Sequence, residues 1–184
     1  MRKLFISLCF SACCSLLAAQ TTNPIQEAMA NYDYETALML IDQETPTVPL
    51  LYQKGKALKG LGNNLEALSV FQEVVARDSL NPRAYIEAAE CCKSLAKYSE
   101  ALDYYQNALH INPDNKYARI QYISLLMNMK RYRESLKESN LLAERDSSAY
   151  VLHLRAESMG QVYDNTEIHA CDRCLSGHTE KISQ

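Results

Sequence analysis

Along residues 98–111, YSEALDYYQNALHI, small or apolar side chains stand at Ala101, Leu102, Tyr105, Ala108 and Leu109, with polar groups between them. That spacing puts one apolar stripe on a helix. The preceding stretch, PRAYIEAAECCKSL (82–95), repeats the rhythm with Tyr85, Ala88, Ala89, Cys92 and Leu95, and predicts a second helix. Pro82 suits a first helical turn, where its missing N–H costs little. Asn112-Pro113-Asp114 closes the pair, because proline cannot extend the hydrogen-bond ladder.

The same pattern recurs. GNNLEALSVFQEVVARDSLNP (62–82), KYSEALDYYQNALHINPDN (97–115) and RYRESLKESNLLAERDSS (131–148) align without gaps, so that Ala67, Ala101 and Ser135 lie 34 residues apart. Four positions on stand Phe71, Tyr105 and Ser139. An earlier half-copy places Ala37 and Ile41 at these sites, and a degraded last copy places Ala170 and Cys174 there. A period of this length marks a repeat of helix pairs, each pair burying its apolar face against the next. Gly55 and Ala89 in first helices, and Ala67 and Ala101 in second helices, let paired helices approach closely, while Phe71 and Tyr105 fill the remaining space. Two positions break the size pattern: Ile123 stands where a small residue belongs, and Ser139 where a large one belongs.

Leu51, Gly55, Leu58, Ala67 and Phe71 in one copy, and Tyr85, Ala89, Ala101, Tyr105, Ala108 and Pro113 in the next, resemble the tetratricopeptide repeat. The resemblance spans about residues 24–175 and implies an all-α, right-handed α-solenoid of helix-turn-helix units. The expected organisation is a leader over 1–19, a partial unit over 24–47, units over 48–81, 82–115 and 116–149, a degraded unit over 150–176 and a tail over 177–184.

The resemblance also implies a concave groove lined by the second, fifth, sixth and ninth residues of each first helix, holding a peptide or helix of a protein partner. These positions fall on Tyr52, Gln53 and Lys56, on Arg83, Ile86, Glu87 and Glu90, on Tyr117, Ile120, Gln121 and Ser124, and on Val151, Leu154, Arg155 and Ser158. The family's clamp for chaperone-tail carboxylates needs Lys and Asn at positions that hold Tyr52 and Lys56, or Ile86 and Glu90, so that variant is absent.

The N-terminus, MRKLFISLCFSACCSLLAAQ, has two basic residues ahead of a 16-residue uncharged run, the layout of an export signal. Cleavage after Ala19 is one route; Phe10-Ser11-Ala12-Cys13 offers a lipoprotein-type alternative with lipid on Cys13 and is the poorer match. Either route predicts an exported protein of the periplasm or outer membrane. The chain has 19 basic and 22 acidic residues, and loss of residues 1–19 leaves 17 against 22, a net charge of −5. Such a surface is unsuited to nucleic acid, whose binding relies on neutralising phosphates.

Candidate chemistry is sparse. No glycine-rich phosphate loop, HExxH or nucleophile elbow occurs, so neither an enzyme activity nor a cofactor is expected. HACDRCLSGH carries His169, Cys171, Cys174 and His178, and offers a metal or thiol redox module as the alternative function. The repeat register places Cys171 and Cys174 on the buried side of a helix instead, and His169 and Cys171 on nearly opposite sides of it. Cys91 and Cys92 read as core residues, and self-association through the last unit is a further expectation.

Overall fold

The computed structural model describes residues 23–164. Among them, all regular structure is helical: α1 (Pro24–Ala30), α2 (Tyr34–Ile41), α3 (Val48–Gly60), α4 (Asn64–Arg77), α5 (Pro82–Ser94), α6 (Tyr98–Ile111), α7 (Lys116–Asn128) and α8 (Tyr132–Ala143). A ninth, α9, covers residues 149–164. The chain forms two compact units, one through Val74 and one from Val75, with the boundary inside α4.

In the first unit, the Asn23 side chain caps α1 by accepting from the Ile25 amide at 3.0 Å, and Asp33 caps α2 by accepting from Thr36 at 3.2 Å. Helix α1 packs on α2, and α2 on α3. Ala37, Ile41, Leu51, Ala57, Leu58, Ala67, Phe71 and Val74 are buried. Helices α3 and α4 approach closely at Gly55, which the Phe71 ring covers.

In the second unit, Asn81 and Asn115 cap α5 and α7 by accepting from Ala84 and Ala118 at 3.3 and 3.0 Å. Helices α5 to α8 pack in chain order. Ala89 and Tyr105 are fully buried at the small and large sites. In the next pair the sizes are exchanged: Ile123 and Ser139 are both fully buried, with the large side chain now on the first helix. Ile123 joins Leu142, Val151 and Leu154 in a core cluster that binds α7 and α8 to α9.

The turn inside each helix pair is one motif repeated. Asp33, Asn63, Lys97 and Arg131 each donate their amide to the carbonyl five residues back, at 2.8–2.9 Å, which closes a Schellman-type end on the first helix. The residue just before each is left-handed: Tyr32 (φ 60), Gly62 (φ 81), Ala96 (φ 57) and Lys130 (φ 59). One of the four is glycine, so the others hold a conformation that costs an L-residue about 1 kcal/mol.

Candidate partner-binding face

The first helices of successive repeats in the second unit are joined by side chains. Glu90 of α5 accepts on Oε1 from the Tyr105 hydroxyl of α6 and, at 3.0 Å, from the Tyr117 hydroxyl of α7. Its Oε2 accepts from Lys93 at 3.3 Å, and the same ammonium donates to Gln121 Oε1 of α7 at 2.8 Å. Lys93 also lies 5.8 Å from the Tyr105 ring centroid, within cation–π range. The sequence placed Glu90, Tyr117 and Gln121 in the groove. Lys93 and the Tyr105 hydroxyl, which tie them together, are additions that the spacing of groove positions could not supply.

These contacts fix the ionisation of the cluster. Burial pushes the Glu90 carboxyl upward, but hydrogen bonds from Tyr105, the charge of Lys93 and the Tyr117 bond together outweigh it and hold the group below its ordinary range. Burial and the adjacent Glu90 push Tyr117 up to about 12, and Tyr105 is raised further by the same causes. At neutral pH the cluster is therefore one carboxylate, one ammonium and two neutral phenols.

With both oxygens engaged, Glu90 is a support of the face and not a free acceptor. Tyr117, 53% exposed, presents its ring to solvent. Arg83 is exposed, and Glu87, Ile120, Gln121 and Ser124 are half-buried. Ile86 is a correction: it is buried and offers a ligand little surface.

The last helix brings a larger correction. The Leu152 amide donates to the Ser148 carbonyl at 3.0 Å, as Tyr85 and Arg119 donate to the cap residues Asn81 and Asn115. Ser148 is thus the cap equivalent, 33 residues after Asn115, whereas Asn115 follows Asn81 by 34. The Asp146 side chain, accepting from the Ser148 amide at 2.8 Å, tightens the approach. Every face position in α9 therefore slips by one residue. Tyr150, His153, Leu154 and Glu157 take the second, fifth, sixth and ninth places. Val151 and Ser158 drop into the interior, Leu154 is also buried, and Arg155 is half-buried. Tyr150 is 55% exposed at the position of Tyr117. The run Asp146-Ser147-Ser148 contains three residues able to cap, so the sequence did not single out one.

In the first unit, Tyr52 is half-buried and meets the Phe71 ring edge-on at a centroid distance of 5.7 Å. Gln53 is half-buried with its Oε1 enclosed and lacking a hydrogen-bond partner among the described residues, and Lys56 is exposed. The thiols of Cys91 and Cys92 have no exposed surface; burial, with Glu100 adding to it, pushes Cys92 up to about 11. Such a thiol is a poor nucleophile at neutral pH. Cys171, Cys174, His169, His178, Ala170 and Cys13 lie outside the described residues. Among the described residues, no cluster of three His, Cys, Asp or Glu side chains is placed to hold a metal, and no helix is long and apolar enough to cross a membrane.

Tetratricopeptide repeat models match residues 48–79 and 94–157, together more than half of the chain. The chain belongs to the tetratricopeptide repeat family. The tetratricopeptide repeat fold, an all-α helical-repeat solenoid, is shared with solved structures at low identity. MamA AMB-1 aligns with a TM-score of 0.67 at 20% identity, covering 78% of this chain and 80% of that one. MamA RS-1 ArsTM double mutant gives 0.65 at 17% identity, with 82% and 93% covered. YrrB, described as a TPR protein with an unusual peptide-binding site, gives 0.64 at 19% identity, with 74% and 73% covered. No curated protein matches the chain. Tetratricopeptide repeats serve protein–protein interaction.

Proposed function

We propose that this protein is a non-catalytic adaptor of the bacterial cell envelope, exported through its N-terminal leader, which holds a segment of a partner protein on the joined face of α5, α7 and α9. The observation that carries this reading is the double link of Tyr117 to Glu90 and Gln121 to Lys93. It makes one surface from two successive repeats and holds polar and aromatic groups in place before a partner arrives, which lowers the ordering cost of binding. Aromatic and arginine side chains at such a surface, here Tyr117, Tyr150 and Arg83, are the types that carry most binding energy at interfaces. The export part rests on the pattern of residues 1–19, with lipid on Cys13 as the other mode of attachment to the membrane.

The test is chemical crosslinking in intact envelopes followed by capture of the chain, comparing the native protein with Arg83→Ala/Tyr117→Ala/Gln121→Ala. All three side chains lie outside the core, so the variant is expected to keep its helical circular dichroism. A partner captured by the native face and lost with the variant supports the adaptor. Capture that is indifferent to the triple change removes the face from the reading. Fractionation of the cells gives the compartment directly, and recovery in the cytosol would overturn export.

A further inference from the structure

The face just described also carries information about the shape of its ligand. Tyr117 and Tyr150 occupy the same position, the second residue after the caps Asn115 and Ser148, on helices that pack side by side through Ile123, Val151 and Leu154. Arg83 holds the equivalent place on α5, after Asn81. Neighbouring packed helices are spaced about 8–10 Å apart. The exposed planar groups Arg83, Tyr117 and Tyr150 therefore form a row with a rung on each successive first helix.

Resting on the adaptor reading, we propose that this row binds an extended, proline-rich peptide of little net charge, in the polyproline II conformation. The period fits: that conformation advances about 3.1 Å per residue with three residues per turn, so residues i, i+3 and i+6 return to the same side roughly every 9 Å. A β-strand turns residues i and i+3 to opposite sides, and would meet every second rung wrongly. An amphipathic helix needs a continuous apolar trough. Here Ile86 and Leu154 are interior, which leaves the half-buried Ile120 as the aliphatic side chain at the face positions of α5, α7 and α9, too little for a trough, and the large solvent-facing rings are those of the tyrosines.

The polar groups fit as well. A polyproline II peptide has no internal hydrogen bonds, so its carbonyls seek donors. Lys93 holds the oxygen of Gln121, which leaves the amide NH2 of that side chain to donate outward. Glu90 holds the Tyr117 hydroxyl and so fixes the ring against which a pyrrolidine ring would stack. Charge points the same way: Arg83 and Lys93 oppose Glu87, Glu90 and Glu157, leaving the face close to balance and without the surplus that a strongly acidic or basic peptide would need.

The experiment is a fluorescence-anisotropy titration of the full chain with labelled decaproline, a Gly-Ser peptide of equal length and an amphipathic alanine-rich helical peptide of equal length. Decaproline is expected to bind about tenfold tighter than either control. Tyr117→Ala and Tyr150→Ala are each expected to weaken it by about fivefold, the scale of one lost aromatic contact. Tyr117→Phe keeps the ring but loses the bond to Glu90 that fixes it, and is expected to bind less tightly than the native chain and more tightly than Tyr117→Ala. Circular dichroism confirms that the variants are folded, as the exposure of both rings leads one to expect. Equal affinity for decaproline and Gly-Ser overturns the proposal, as does preference for the helical peptide or an affinity unmoved by both tyrosine changes. If decaproline fails while a partner crosslinked in envelopes still depends on Tyr117, the adaptor face stands and the polyproline ligand alone falls.

Discussion

A Cβ atom built on Gly55 would lie 2.7 Å from two ring carbons of Phe71, a side chain with no exposed surface. The absence of a side chain at Gly55 is what lets α3 and α4 meet with an aromatic ring between them. Gly55→Ala is expected to destabilise the fold. Overpacking costs about 1–3 kcal/mol, against roughly 1 kcal/mol gained in helix propensity. Urea unfolding should show the loss, and Gly55→Ala/Phe71→Leu should recover part of it. At Gly160 a Cβ meets nothing within 4 Å, so Gly160→Ala should stabilise instead.

The exchanged sizes at Ile123 and Ser139 predict non-additivity. Ile123→Ala should cost about 2–5 kcal/mol through the cavity it leaves, and Ser139→Phe about 1–3 kcal/mol through crowding. The double change restores the order seen in Ala89 and Tyr105, and should be markedly less destabilising than the two singles summed. Thermal unfolding of the four proteins completes the cycle; strict additivity would show that the two sites do not share one space.

Ser135 and Ser158 form a hydrogen bond of 2.8 Å with no exposed surface on either residue. Ser158→Ala leaves the Ser135 hydroxyl buried without this partner, and should cost about 1–3 kcal/mol. Ser135→Ala/Ser158→Ala removes both polar groups and should be closer to native stability than that single change. Equilibrium urea unfolding distinguishes the two.

At the turns, Ala96→Gly relieves a left-handed φ of 57° in a residue just past the end of α5. The relief is worth about 1 kcal/mol, partly offset by the greater freedom of glycine in the unfolded chain. A modest rise in the urea midpoint with an unchanged slope is expected. A fall would mean that the Ala96 methyl group contributes more than its backbone costs.

The Glu90 cluster sets a pH dependence. Because the folded-state carboxyl is held below its ordinary value of 4.5, the stability it confers is complete above that pH and is lost as pH falls through the lower folded value. Glu90→Gln should flatten the acid limb of a stability–pH curve. On the alkaline side, Tyr117 is raised to about 12 by burial and by Glu90. Its contribution is therefore complete below the ordinary phenol value of about 10 and is lost as pH rises through the folded one. Ultraviolet titration of the phenols should show a late-ionising component that moves to lower pH in Glu90→Gln.

What the chain determined by itself was local and periodic. Ala67, Ala101, Phe71 and Tyr105 mark helix faces because side chains three and four residues apart share a side of a helix, and Pro82 and Pro113 mark where helices begin and end. Family and helix pairs followed from that alone. Three things depended on tertiary structure. The slip at Ser148 was settled by which of three adjacent caps accepts the first backbone bond of α9. The burial of Val151 and Ser158 followed from that slip, and the burial of Ile86 and Leu154 from how their helices pack. The engagement of Glu90 depended on side chains 15 and 27 residues away, Tyr105 and Tyr117. A 34-residue period records which side of a helix faces its neighbour; it does not record which side chains on the open face reach one another, because those contacts form only when the helices are already packed.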